Sequence, residues 1–178
     1  MLAISPVDGQ YRPADRLPPI RGVHYLVVHG SHDGDVSTFI GQRAFLRADV
    51  SDSGLTKSSL YVYRANHGQF NTVWGDRDNG GFSFLLRRSS LLAGEEQRQV
   101  GRVVFTAFLE MALAGRSEYA AILRDHRAAA AWLPPTMYSS NYADWRDRPL
   151  ATYEEDLDVT TATAAGTSIA AEGLATWR

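Results

Sequence analysis

The chain has no cysteine and a single lysine, Lys57, among its 178 residues. The first absence excludes disulfides, thiolate metal sites and a cysteine nucleophile, and leaves the compartment open. The second leaves arginine to carry the positive charge; with the alanine-rich helices this reads as coding bias. Neither sign of charge dominates, with 18 Lys and Arg against 20 Asp and Glu. A formal net charge of −2 gives no basic field for a nucleic acid or an anionic membrane surface. No apolar run is long enough to span a bilayer. The first residues, "MLAISPVDGQ", lack the basic region and long apolar core of a signal peptide.

What is present is ordinary for a globular domain: 44% hydrophobic and 21% charged residues, in a chain long enough for one domain with a core. The apolar run "MLAISPV" reads as a buried strand, followed by a loop rich in Pro, Asp and Arg. "VHYLVVHG" is a second β-branched run, stopped by the Gly/Asp turn "GSHDGD". "VSTFIGQRAFLRADV" spaces Phe39, Ile40, Phe45 and Leu46 as a helix does, and "SSLYVYRANH" is a third strand ending on His67. Continuous apolar strands joined by a helix predict an α/β fold, a parallel sheet with flanking helices. "EEQRQVGRVVFTAFLEMALAG" is the clearest helix, with Val100, Val104, Phe108 and Met111 on one stripe and Glu95 and Glu96 in the first turn. "SEYAAILRDHRAAAAWLPP" reads as another helix, closed by Pro134-Pro135. Residues 1–149 form this α/β part; residues 150–178 are a Thr/Ala/Gly-rich, β-prone tail, alternating at Leu157 and Val159, that opens a second unit.

Functional groups of a parallel α/β sheet gather outside the carboxyl ends of its strands. Asp33 and Asp35 stand just past the second strand, and His67 just past the third. Neighbouring strands lie about 4.8 Å apart. A carboxylate and an imidazole at adjacent ends can therefore hydrogen-bond, which fixes the tautomer and frees the other ring nitrogen as a base.

The pattern His-Gly-x-x-Asp-x-x-Val in "HGSHDGDV" resembles the acid loop of the α/β-hydrolase superfamily, and "LYVYRANH" before Gly and Phe resembles its histidine loop. "ISPVDGQYRP" is similar to the strand one step earlier. The resemblance covers about residues 2 to 113 and is nearest to dienelactone-hydrolase-like and lipase-like members. It implies the C-terminal part of that fold, with Asp33 as the acid and His67 as the base of a Ser-Asp-His triad, acting on a small ester or related acyl substrate without a cofactor. Phe70 and Trp74, near the histidine, read either as lining of the substrate's acyl pocket or as cover for the sheet. Asp35 falls outside the acid position and is read as the cap of a helix starting near Val36.

The chain departs from the family in one respect. No Gly-x-Ser-x-Gly occurs: "GFSFL" lacks the second glycine, and "GSHDG" has its serine one place early. The oxyanion donors, which belong to the same missing half, are absent too. With an uncapped apolar start and an abrupt finish at Trp177-Arg178, the chain reads as an internal piece of a longer hydrolase, inactive alone. Two readings compete. One is a non-catalytic module that pairs through the open edge of "LAISPV" with itself or with a missing half. The other is a metal-dependent hydrolase using His29, His32 and Asp33 of "HGSHD". Against it, His29 would end a strand and Gly30-Ser31 turn the chain, so no metal is expected. "DRDNGG" has Gly80 and Arg87 where a calcium loop needs ligands, and reads as a surface turn.

Overall fold

The computed structural model describes residues 1–9, 17–79, 88–152, 156, 158 and 160–170. They fall into two units, Met1–Trp145 and Arg146–Arg178.

The first unit is built on a four-stranded sheet in the order β1-β2-β3-β4. Strand β1 spans Leu2–Ile4 and β2 spans Tyr25–Gly30. All six residues of β2 are buried, as a continuous apolar run requires of a strand covered on both faces. Helix α1 (Gly41–Arg47) links β2 to β3 (Thr56–Val62). Strands β1, β2 and β3 run parallel. After β3 come the 21-residue helix α2 (Gly94–Ala114) and the short α3 (Ala120–Arg124). Strand β4 (Tyr138–Asp144) then returns antiparallel to β3.

The period of two along β2 divides the core. Tyr25 and Val27 face α1, where Ala44, Phe45 and Ala48 meet them. Leu26 and Val28 face the other side, with Leu60, Val62 and the α2 stripe of Val100, Val104, Phe108 and Met111. Each large apolar side chain buried there contributes about 1.5–3 kcal/mol. Glu96 reaches back to accept the Ala93 N–H at 2.9 Å, and Gly115 ends α2 at φ +68, where a left-handed residue closes the last turn. No helix among the described residues is long and apolar enough to cross a membrane.

The sheet is α/β in type but mixed rather than wholly parallel, because β4 runs against β3. Helix α1 starts at Gly41, with Ile40 and no side chain at its cap, so Asp35 does not cap it. Strand β3 stops at Val62, five residues short of His67, because Arg64 turns the chain at φ +68. The helix expected over "SEYAAILRDHRAAAAWLPP" breaks at Asp125, whose carboxylate leaves the helical path to accept Arg127 N–H at 3.0 Å. In the second unit the described residues hold turns: Thr160 N–H donates to Asp158 at 2.9 Å and Thr152 N–H to Thr163 Oγ1 at 2.8 Å. Leu157 and Val159 lie outside the described residues.

Candidate active site

The ends of β2 and β3 are laced together before any functional side chain appears. Ser31 N–H donates to Val62 O at 3.0 Å and His32 N–H to Ala65 O at 2.8 Å. Arg64 N–H donates to Ser31 Oγ at 2.8 Å. The Arg64 guanidinium donates to Ser90 O and, at 3.3 Å, to Leu91 O.

Asp33 then turns inward; its side chain is 1% exposed. Its Oδ1 accepts Val36 N–H at 2.6 Å and Asp35 N–H at 3.0 Å, an Asx turn that the chain makes of itself. The cap expected of Asp35 is thus a turn held by Asp33. Oδ2 faces His67 Nδ1 at 3.0 Å. Burial works against the Asp33 carboxylate, but the hydrogen bonds aimed at it, led by that from His67, outweigh it and hold the carboxyl below its ordinary 3.8. An ionised carboxylate only accepts, so the imidazole proton sits on Nδ1 and the Nε2 lone pair is left open. Nε2 has no hydrogen-bond partner among the described residues. The bond to Asp33 raises the His67 pKa above 6.5 against partial burial, with the charges of Asp33, Asp35 and Asp78 adding to it.

Asn66 is the anchor of the histidine loop. It is buried, and so is Gln97 on α2. The Gln97 amide clasps the Asn66 backbone from both sides: Oε1 accepts Asn66 N–H at 3.0 Å and Nε2 donates to Asn66 O at 2.8 Å. Asn66 Oδ1 accepts Gln69 N–H at 3.1 Å, and Gln69 Nε2 donates to Leu92 O at 3.0 Å. The core helix therefore holds the His67 loop through one polar residue on its apolar stripe. Gln97→Leu leaves a buried N–H and a buried C=O unpaired, each costing about 1–3 kcal/mol. The expected result is a loss of about 2–6 kcal/mol in urea unfolding of the chain, with the slope unchanged. An unchanged midpoint would show that water or a shifted loop replaces the clasp.

The structure separates the two aromatic residues assigned to an acyl pocket. The Trp74 ring stacks on the His67 imidazole, centroids 5.8 Å apart and planes 9° apart, and is 62% exposed. Phe70 instead packs on the main core cluster below the loop.

The three groups of "HGSHD" go to different partners. His29 is buried in β2, its Nε2–H on Val36 O at 3.1 Å and its ring 5.2 Å from Phe39. Burial lowers its pKa, opposed by the Asp33 charge. His32 meets Ser31 Oγ at 2.7 Å through Nδ1 and Ser90 Oγ at 3.1 Å through Nε2. Burial, then the Arg64 charge, lowers its pKa. Among the described residues no three His, Cys, Asp or Glu side chains converge as a metal site.

Sequence reasoning missed Asn66, Gln97 and Asp78. For Gln97 a signal existed: a glutamine in phase with Val100 and Val104 on a core stripe needs a polar partner. No family model, curated protein or solved structure matches this chain, so the case for its chemistry rests on the Asp33–His67 pair and the loops that hold it.

Proposed function

We propose that this chain supplies the acid and the base of a serine-type hydrolase that cleaves a small ester or related acyl compound. It would form the C-terminal part of an α/β-hydrolase fold. The observation that carries this is the 3.0 Å contact between His67 Nδ1 and the buried Asp33 Oδ2 at the ends of adjacent parallel strands. In the proposed reaction His67 Nε2 takes the proton of a serine hydroxyl as the serine attacks the acyl carbon. It then returns that proton to the leaving group, and a water enters by the same route to release the acyl-enzyme. Asp33 orients the ring and stabilises its cation. Trp74, stacked on the imidazole, walls the site on one side. No step draws on a cofactor.

The 178 residues contain no Gly-x-Ser-x-Gly, so the serine and the oxyanion donors are assigned to polypeptide outside them. Among the described residues β1 pairs only with β2. Its other edge is where a further parallel strand would add.

The test is hydrolysis of a short-chain nitrophenyl ester, with fluorophosphonate labelling read by mass spectrometry. The chain alone is expected to turn over no faster than His67→Ala and to carry no labelled serine. Joined to the polypeptide encoded immediately upstream, it is expected to gain turnover that His67→Ala abolishes, with the label in a Gly-x-Ser-x-Gly. A labelled serine within these 178 residues would overturn the assignment of the nucleophile. An upstream frame without the motif, or without turnover, would overturn the hydrolase reading.

A further inference from the structure

Asp78 belongs to the segment "GDRDN", whose composition is that of a surface turn. Its carboxylate does not point away from the fold. Oδ2 accepts Gly34 N–H at 2.8 Å and His67 N–H at 3.0 Å. Oδ1 accepts Asn66 Nδ2 at 2.8 Å and Gly68 N–H at 2.9 Å. Gly34 directly follows the acid, and the other three donors belong to the base and its two neighbours. One oxygen atom is thus shared between the loop that carries Asp33 and the loop that carries His67.

The chemistry of this cluster selects a carboxylate. Both oxygens of an ionised Asp accept, with room for about four donors, and four donors are aimed at it here. An asparagine would turn an NH2 group toward one pair of N–H donors and lose both bonds. Gly68 is confined as well: a Cβ on it would stand 2.5 Å from Gly75 O, so the stretch of loop between Gly75 and Asp78 lies directly against the histidine turn.

We propose that Asp78 is a positioning residue that sets the spacing of the Asp33–His67 pair by binding both loops through one carboxylate. The proposal rests on the reading of that pair as acid and base. Asp78 does not touch a reacting atom. It acts on where the Nδ1–Oδ2 bond can form.

Its negative charge also favours the His67 cation, so a displaced His67 titration in one variant would not separate charge from positioning. A double-mutant cycle does. The His67 Hε1 resonance is titrated by NMR in the natural chain, Asp33→Asn, Asp78→Asn and the double variant. If Asp78 only adds charge, Asp33→Asn displaces the His67 midpoint equally in both backgrounds. If Asp78 positions the pair, the displacement in the Asp78→Asn background is expected to be about half or less of that in the natural chain. Equal displacement would overturn the proposal. A second measurement needs no variant: scalar couplings across hydrogen bonds from the Asp78 carboxylate carbon to the amide nitrogens of Gly34, His67 and Gly68. All three are expected in the natural chain, and loss of the Gly34 or His67 coupling would overturn the shared-oxygen arrangement. Neither readout depends on ester turnover, so failure of the hydrolase reading leaves both results standing.

Discussion

Asp33→Asn is expected to lower the His67 titration midpoint and to reverse the tautomer of its ring. The substituted asparagine keeps the shape of the aspartate, and its amide oxygen can still accept the Val36 and Asp35 N–H groups that now hold the carboxylate at 2.6 and 3.0 Å. That orientation turns the amide NH2 toward His67. The imidazole must then accept on Nδ1, so its proton moves to Nε2 and the lone pair that would receive the serine proton disappears. The bond to Asp33 is the largest cause of the raised His67 pKa. Without it, burial opposes the cation with only the Asp35 and Asp78 charges against it, and the midpoint falls toward the ordinary 6.5. If the proposed hydrolase reading holds, the same change is expected to lower kcat of the completed enzyme about 10⁴-fold, the loss that a wrong tautomer produces in serine-protease triads. NMR of the His67 Hε1 proton checks the first part; an unchanged midpoint would mean that the 3.0 Å contact is not the bond that governs this histidine.

The pair also makes stability depend on pH. Asp33 is depressed below 3.8 on folding. Its contribution is present above that value and is lost as pH falls through the lower folded pKa. His67 is raised above 6.5. Its contribution is complete below 6.5 and is lost as pH rises through the higher folded pKa. The bond therefore stabilises most between 3.8 and 6.5, and Asp33→Asn is expected to lower the urea midpoint most within that window and to flatten its fall on either side.

The Asp33–His67 contact was legible because a parallel sheet brings its strand ends together whatever the side chains are. Two titratable residues just beyond adjacent apolar runs then have a geometric reason to meet. Strand β2 was legible for a similar reason: six buried residues in a row leave no second reading at that length. Strand β4 was not. Tyr138, Ser140 and Tyr142 alternate with Ser139 and Asn141 on a half-exposed edge, so apolar pattern and strand propensity are both weak there. The early end of β3 was hidden in the opposite way. "YVYR" has every local preference for a strand, and the turn at Arg64 is imposed from outside, by Ser31 Oγ on its N–H and by the carbonyls of Ser90 and Leu91 on its side chain. Asp78 was illegible because three of its four donors are backbone N–H groups, which leave no mark in a sequence. Gln97 was half legible: its place on the core stripe called for a polar partner, but that partner is the main chain of Asn66, which the sequence does not mark.

Gly30→Ala is expected to be the most damaging single-methyl change in the site. Gly30 has an ordinary strand conformation, so the argument is one of space. A Cβ there would stand 2.3 Å from Ala65 O and 2.7 Å from Ala65 C. Both obstacles are backbone, which cannot swing aside as a side chain can. The chain from Ala65 onward must shift, and Ala65 O is the acceptor of His32 N–H at 2.8 Å. The methyl therefore pries apart the crossing that precedes Asp33 on one side and His67 on the other. Overpacking of a rigid site costs about 1–3 kcal/mol and more where backbone must move; a loss of about 3 kcal/mol in urea unfolding is expected here. Gly101→Ala is the control. The three atoms nearest its Cβ would all belong to the Phe105 ring, the first at 3.1 Å, and a ring can yield, while alanine gains about 1 kcal/mol over glycine inside a helix. That variant is expected to be close to neutral. The same spectra that follow His67 in Asp33→Asn should show its midpoint falling in Gly30→Ala, with Asp33 untouched. Stability lost with the His67 midpoint unmoved would mean that the strand crossing supports the fold but not the pair. Both unmoved would mean that the two loops meet at a wider spacing than the 2.3 Å approach requires.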